Sequence, residues 1–217
     1  MIAMSKSLQD KKNRISMIIS ILKNEYPDSK CSLNFKSPFQ LLVSTILSAQ
    51  CTDERVNKVT KVIFSKYPDA ESFSKLTSDQ IGKLIYSTGF YNNKAKNIKK
   101  MADIVWNDYK GSVPNDINKL VELPGVGRKT ANVVLGNIFN MPALVVDTHV
   151  TRITNLLKFV NTKNAVHIEE KLCKIVEKDD WSIFAHLLID HGRKVCIANR
   201  PQCSSCKLID LCPSSKI

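Results

Sequence analysis

Apolar residues recur along this chain at intervals of three and four, the spacing that gathers them on one face of an α-helix. In SPFQLLVSTILSAQ they are Phe39, Leu42, Val43, Ile46 and Leu47, behind a Ser37-Pro38 start. In TDERVNKVTKVIFSKY they are Val56, Val59, Val62, Ile63 and Tyr67, with Thr52 placed to cap. NNKAKNIKKMADIVWNDY repeats the pattern through Ile98, Met101, Ile104 and Val105, and VHIEEKLCKIVEK and SIFAHLLIDHGRKVC continue it. The N-terminal stretch, MIAMSKSLQDKKNRISMIISILKNEYPDSK, reads as a first amphipathic helix. Strand alternation is lacking. ALVVDTH is the one short candidate, and it reads better as a turn entering a helix. The 7 glycines and 8 prolines fall at punctuation points, with no internal repeat and no low-complexity linker. The predicted fold class is all-α.

One stretch does not fit a plain bundle. In LPGVGRKTAN, two glycines flank a valine and a basic pair follows at once. Leu120, Val121 and Leu123 close one helix, Pro124-Gly125-Val126-Gly127 makes a tight hairpin, and Arg128 opens the next helix. Glycines at 125 and 127 are expected to supply positive φ and a close backbone approach. The amides at the second helix's start can then face an anion, helped by the helix dipole, and a phosphate is the natural guest. The plainer alternative is a helix–helix turn with a C-cap glycine.

Lys129 stands in the first turn of that second helix. A lysine amine is a nucleophile only when neutral, which requires burial or cationic neighbours; Arg128 and the helix N-terminus supply positive potential. Asp147, in VVDTHVTR, follows an apolar run where an unpaired carboxylate is costly. Its structural role is to cap the helix beginning near Thr148, and a capping carboxylate can still face a ligand.

Composition narrows the partner. The chain has 217 residues, enough for a real core, and 43% hydrophobic content excludes disorder as the default. It carries 32 Lys and Arg against 20 Asp and Glu, a net +12, which favours a polyanion such as nucleic acid. No apolar run approaches a membrane span, and the N-terminus lacks the continuous apolar stretch and cleavage site of a signal peptide. The expected compartment is the cytoplasm.

Seven cysteines follow from the same reading. In a reducing compartment they are thiols, and the four crowded at the end read as metal ligands before disulfides. Cys196, Cys203, Cys206 and Cys212 are separated by six, two and five residues. Four thiolates suit zinc or a [4Fe–4S] cluster; the uneven loops suit the cubane better than paired zinc hooks. Between the first two lies IANRPQ, with Arg200 at the tip of a candidate phosphate-binding loop. Cys31 and Cys173 are expected to be buried small side chains, and the four histidines add no metal set.

Taken in order, LLVSTILSAQCTD, TGFYNNKAKNI, LPGVGRKTANVVL, VVDTHVTR, HGRKVCIANRPQC and the four-cysteine spacing resemble the endonuclease III family of DNA repair glycosylases, over nearly the whole chain. The resemblance implies two helical lobes with a DNA cleft between them. A six-helix lobe over 31–141 would hold the helix-hairpin-helix, and 1–30 plus 142–217 would carry the [4Fe–4S] loop region. It implies a nucleophile at Lys129 and its aspartate at Asp147. Gln50 is similar to the plug that fills the space of a flipped base. Phe90 occupies the wedge position, usually leucine in the family; phenylalanine can still intercalate, but its bulk bears on the opposite base tolerated. DNA backbone contacts would come from Gly125, Val126, Gly127, Arg128 and Arg200.

The implied activity is a monomeric, bifunctional glycosylase and abasic-site lyase of base excision repair, nucleoid-associated when on DNA. It would flip an oxidised pyrimidine from duplex DNA, form a lysine Schiff base and cut 3′ to the abasic site by β-elimination. Two rivals fit less of the sequence. A monofunctional mismatch adenine glycosylase lacks a lysine at position 129 and carries a further C-terminal domain, unexpected with five residues after Cys212. A non-catalytic, cluster-bearing DNA regulator fits the charge and cysteines but leaves Lys129 and Asp147 unexplained.

Overall fold

The computed structural model describes residues 6–215. Its regular elements are helical: α1 Lys6–Glu25, α2 Pro38–Ser48, α3 Asp53–Lys66, α4 Ala70–Ser74, α5 Ser78–Ile85, α6 Tyr91–Asn107, α7 Ile117–Glu122, α8 Arg128–Ile138, α9 Thr148–Leu156, α10 Ala165–Leu172 and α11 Trp181–Lys194, with short 3-10 turns. No strand occurs among the described residues, as the all-α reading requires, and ALVVDTH runs as irregular chain into α9. The start of the N-terminal helix predicted over residues 1–5 lies outside the described residues.

Local chemistry sets where the helices begin. Ser37 accepts a hydrogen bond from the Gln40 amide and Pro38 opens α2, where its missing N–H costs nothing. Thr52 caps α3 through the Arg55 amide. Reciprocal capping boxes start α4, with Asp69 and Ser72, and α5, with Thr77 and Gln80. Asp116, Asp147 and Asn164 cap α7, α9 and α10. By contrast, α6 follows Phe90, α8 follows Gly127 and α11 follows Asp180 with no side-chain cap. One helix is shorter than its pattern predicts. α10 stops at Leu172, because the Ile175 and Val176 amides both turn back onto the Leu172 carbonyl and bury their side chains in a tightened turn.

The chain divides into two compact units, Cys31–Met141 and Met1–Lys30 with Pro142–Ile217. The first unit holds α2 to α8, one helix more than the six expected; single-turn α4 is the addition. Its axis is α2, buried from Phe39 to Leu47, with α3, α6 and α8 packed on it. A helix buried on every side belongs at a core's centre. Phe73 of α4 is fully buried, edge-on to Phe39 at 5.4 Å and to Tyr67 at 6.2 Å.

The second unit is made of two distant stretches of chain. α1 buries Ile15, Ile18 and Leu22 and packs on α11, which also packs on α9. Arg14 fastens this arrangement. Its guanidinium donates to the Leu157 carbonyl at 2.7 Å and the Leu211 carbonyl at 3.0 Å, and lies 4.2 Å over the Phe159 ring. Ser214 adds a bond to the Leu156 carbonyl at 2.7 Å.

Phe73→Ala is expected to lower unfolding free energy by about 3–5 kcal/mol, the cost of lost burial plus a cavity. Val62→Ala, 58% exposed on α3, should stay within about 0.5 kcal/mol of the parent. Urea denaturation of both variants checks the pair.

Candidate functional site

The hairpin between α7 and α8 is anchored from beneath. Leu123 and Val126 are buried, and the Val126 amide donates to the Leu123 carbonyl at 3.0 Å. Gly125 stands at the crest with φ +80°, and a Cβ there would meet Asn97 Cβ at 3.0 Å. Left-handed backbone and close approach both demand glycine at this position. Gly127 departs from expectation. Its φ is −90° and its ψ 175°, ordinary extended geometry, so positive φ is confined to Gly125. Gly127 instead lacks the side-chain oxygen that would take the helix's first amides, and the space beside it is open. Arg128 and Lys129 follow, both exposed, in the first turn of α8.

Four residues of this unit bearing a Cβ have left-handed backbone, among them Lys110 and Asn140, and two of the four lie beside the hairpin. Gln50 has φ 54° and Phe90 φ 49°. Left-handed geometry is uncommon for residues bearing a Cβ and costs about 1–3 kcal/mol each, so it persists only where the surroundings impose it. Both side chains face solvent, Phe90 at 67% exposure. A large aromatic ring left wet on a strained turn has no packing role. Gln50, Phe90 and Gly125 line one cavity of about 250 Å³ with Ile46, Ala49, Asn93, Lys94 and Asn97. The structure therefore brings the sequence-predicted Gln50, Phe90 and hairpin together within Cys31–Met141.

In the other unit, Asp147 caps α9, its carboxylate accepting from the Val150 amide at 2.8 Å. It is partly exposed, so one oxygen's cap duty leaves the carboxylate in reach of solvent. Four buried residues, Ala143 to Val146, lead into it and fix its position. Behind it α9 and α11 nearly touch, since a Cβ on Gly192 would come within 2.5 Å of His149 Nδ1.

Cys196, Cys203, Cys206 and Cys212 line one cavity of about 370 Å³. Burial pushes the thiols of Cys196 and Cys206 up, and each feels its neighbouring cysteines. Among the described residues, no three His, Cys, Asp or Glu side chains are arranged to hold a single metal ion. Arg152 donates to the Gly192 and Cys196 carbonyls. His191 approaches Cys206 Sγ at 3.7 Å through Nε2 and Tyr26 Oη at 3.3 Å through Nδ1. Burial beside Arg152 drops this imidazole to about 4, so it is neutral at pH 7. The Gln202 amide bonds the Val195 carbonyl at 3.0 Å, closing the loop that exposes Arg200. Cys31 and Cys173, expected to be buried, are half-exposed. Sequence reading missed Lys94, Asn97, Arg152 and Gly192. Of these only Lys94 and Asn97 sit at a readable helical spacing from Phe90.

Comparison with known proteins adds independent findings. Residues 43–178 match the family described as HhH-GPD superfamily base excision DNA repair protein. The chain is 46% identical to endonuclease III of Synechocystis sp. over 217 residues, covering 100% of this chain and 99% of that one. It is 43% identical to endonuclease III of Escherichia coli over 195 residues, 90% and 92% of the two chains. The solved structure of a non-covalent endonuclease III–DNA complex superposes with TM-score 0.89 at 42% identity, over 94% of this chain and 96% of that one. A trapped endonuclease III–DNA covalent intermediate matches equally, with the same score, identity and coverage. A thermostable thymine-DNA glycosylase follows at TM-score 0.82 and 25% identity, over 95% and 97% of the chains.

Asp147→Ala should lose about 1 kcal/mol of stability with its cap, whereas Asp147→Asn should keep it, because asparagine caps as well as aspartate. Denaturation of the two variants separates the structural duty of this side chain from any other. Gly125→Ala should cost about 1–3 kcal/mol through left-handed strain, with contact against Asn97 adding to it.

Proposed function

The chain belongs to the endonuclease III family, within the HhH-GPD superfamily of base excision DNA repair proteins, and from that premise we propose that it removes oxidised pyrimidines from duplex DNA and cuts the strand at the abasic site left behind. It is a base excision DNA glycosylase and abasic-site lyase. The observation that carries the finer reading is the uncapped start of α8, with Lys129 in its first turn behind the Gly125 crest.

The backbone phosphate is held by the hairpin amides and Arg128, with Arg200 as a second contact. Gln50 and Phe90 enter the stack as the damaged base leaves it; unstacking costs a few kcal/mol, least for a damaged base. The Lys129 amine gives up a proton to Asp147 as it attacks the sugar C1′, and the C1′–N glycosidic bond breaks with its electron pair leaving on the base, which takes up a proton. Ring opening gives the Schiff base between Lys129 Nζ and C1′. Loss of a proton from C2′ then expels the 3′ phosphate by β-elimination. Asp147 serves as base and stabilises positive charge developing on the sugar. The trapped covalent endonuclease III–DNA intermediate of the relative supports this route.

Four thiols around a cavity of about 370 Å³ fit an occupant of several atoms. Cys196, Cys203, Cys206 and Cys212 are the residues that would hold a [4Fe–4S] cluster, which would supply a covalent crosslink for the loop bearing Arg200. No step of the reaction passes through it. Among the described residues, no helix is long and apolar enough to cross a membrane. The protein acts as a monomer on double-stranded DNA.

Borohydride trapping on a labelled duplex with one thymine glycol tests the reading. A covalent protein–DNA band is expected, and Lys129→Gln should lose both band and strand cleavage while still binding DNA. A mutant that cuts normally overturns the assignment. Cys203→Ser should lower the iron and sulfide bound per chain, read by elemental analysis of the purified protein.

A further inference from the structure

Lys94 is buried to 6% exposure, and its partners are carbonyls, not carboxylates. Its ammonium donates to the Leu47 and Thr88 carbonyls, each at 2.8 Å. Burial of this kind holds its pKa below the ordinary lysine value. A lysine kept in so unfavourable a place has a geometric use, because a single bonded hydroxyl could satisfy either carbonyl at less cost.

The two carbonyls are not arbitrary. Leu47 lies in the last turn of α2, and Thr88 ends the 3-10 turn Tyr86–Thr88. Both are helix ends, where a cation is favoured. Three residues beyond Leu47 stands Gln50 at φ 54°, and two beyond Thr88 stands Phe90 at φ 49°. Lys94 itself lies one turn after Phe90, its amide bonded to the Phe90 carbonyl at 3.2 Å. One turn further on the same face, Asn97 abuts Gly125. A single face of α6 thus touches the chain before Gln50, the chain before Phe90, and the hairpin, and Lys94 and Asn97 share one cavity with Gln50, Phe90 and Gly125.

We propose that Lys94 is a positioning residue for base flipping: by tying the Leu47 and Thr88 carbonyls to one ammonium, it fixes the separation of Gln50 and Phe90 so that both enter the duplex together. The inference rests on the roles given to Gln50 and Phe90 above. Without the tie, each strained turn is free to relax separately. DNA is still bound, since the hairpin amides and Arg128 are untouched, but the stack is opened poorly.

The test compares wild type, Lys94→Met and Lys94→Arg under single turnover on a duplex with one thymine glycol, with 2-aminopurine beside the lesion reporting unstacking. Lys94→Met should bind DNA like wild type, lose most of the fluorescence rise, and release base at least about tenfold more slowly, the scale of loss for a misplaced reacting group. Lys94→Arg, which can also donate to both carbonyls, should recover most of the rate. The deficit should narrow on a lesion opposite a gap, where no partner base needs a substitute. It should vanish in the Gln50→Ala, Phe90→Ala background, through which Lys94 is said to act. Should Lys94→Met not fold, Lys94→Gln carries the same comparison. Wild-type fluorescence and rate in the variant overturn the proposal. So does an equal deficit on both substrates or in the doubly substituted background, which marks a merely structural residue. Failure of wild type to release any oxidised pyrimidine strikes the functional reading itself, and this inference with it.

Discussion

A helix can offer its first-turn amides to an outside anion only while no side chain of its own chain has taken them. In this protein seven helices are closed by a Ser, Thr, Asp or Asn oxygen, from Ser37 on α2 to Asn164 on α10. α6, α8 and α11 have no such cap, and of the three only α8 opens behind a glycine, Gly127. That choice has requirements elsewhere. The hairpin has no capping bond to hold it, so Leu123 and Val126 must be buried beneath it and Gly125 must turn where no Cβ fits. Lys129 owes its exposed place to those anchors, and the chemistry proposed for it depends on them.

The excess of positive charge is used twice. Part of it faces solvent, available to a polyanion. Part is turned inward against the chain's own carbonyls. Lys94 joins Leu47 to Thr88, Arg14 joins Leu157 to Leu211, Arg152 reaches Gly192 and Cys196, and Lys99 takes the Ser74 carbonyl at 3.0 Å. Each bond draws on a backbone acceptor near the end of a helix or in a turn, where carbonyls lack an intrahelical donor. Two such acceptors on one cation make a fixed bracket, and brackets of this kind hold the irregular segments from which the candidate site is built.

Helical periodicity made the class and most helices legible in the sequence, because α2, α3, α6 and α11 each present an apolar face of several turns. α4 and α5 escaped, being too short to show a period, although Thr77 and Gln80 spell a capping box that could have announced α5. The cap role of Asp147 was legible because caps are local. Positive φ at Gly125 was legible for the same reason, while Gly127 was misread, since two glycines in a hairpin do not say which one turns. The strained φ of Gln50 and Phe90 carries no local signal; neither residue type favours that geometry, and it is imposed by contacts distant in sequence. The burial of Lys94 was illegible for the same cause: its spacing from Phe90 puts both on one face of α6 but gives no hint that a lysine there is covered.

The bonds from Arg14 to Leu157 and Leu211 also carry a consequence for how the chain comes into being. Translation delivers α1 before Cys31–Met141 and its partners after it. All of Cys31–Met141 emerges as an uninterrupted piece and can close its own core early, around α2. Meanwhile Ile15, Ile18 and Leu22 must stay wet until α11 leaves the ribosome, and Arg14 must wait for Leu211. α1 is therefore made before the helices that cover it and finds its place only after them, and a chain cut short before α11 carries an apolar helix with nothing to cover it.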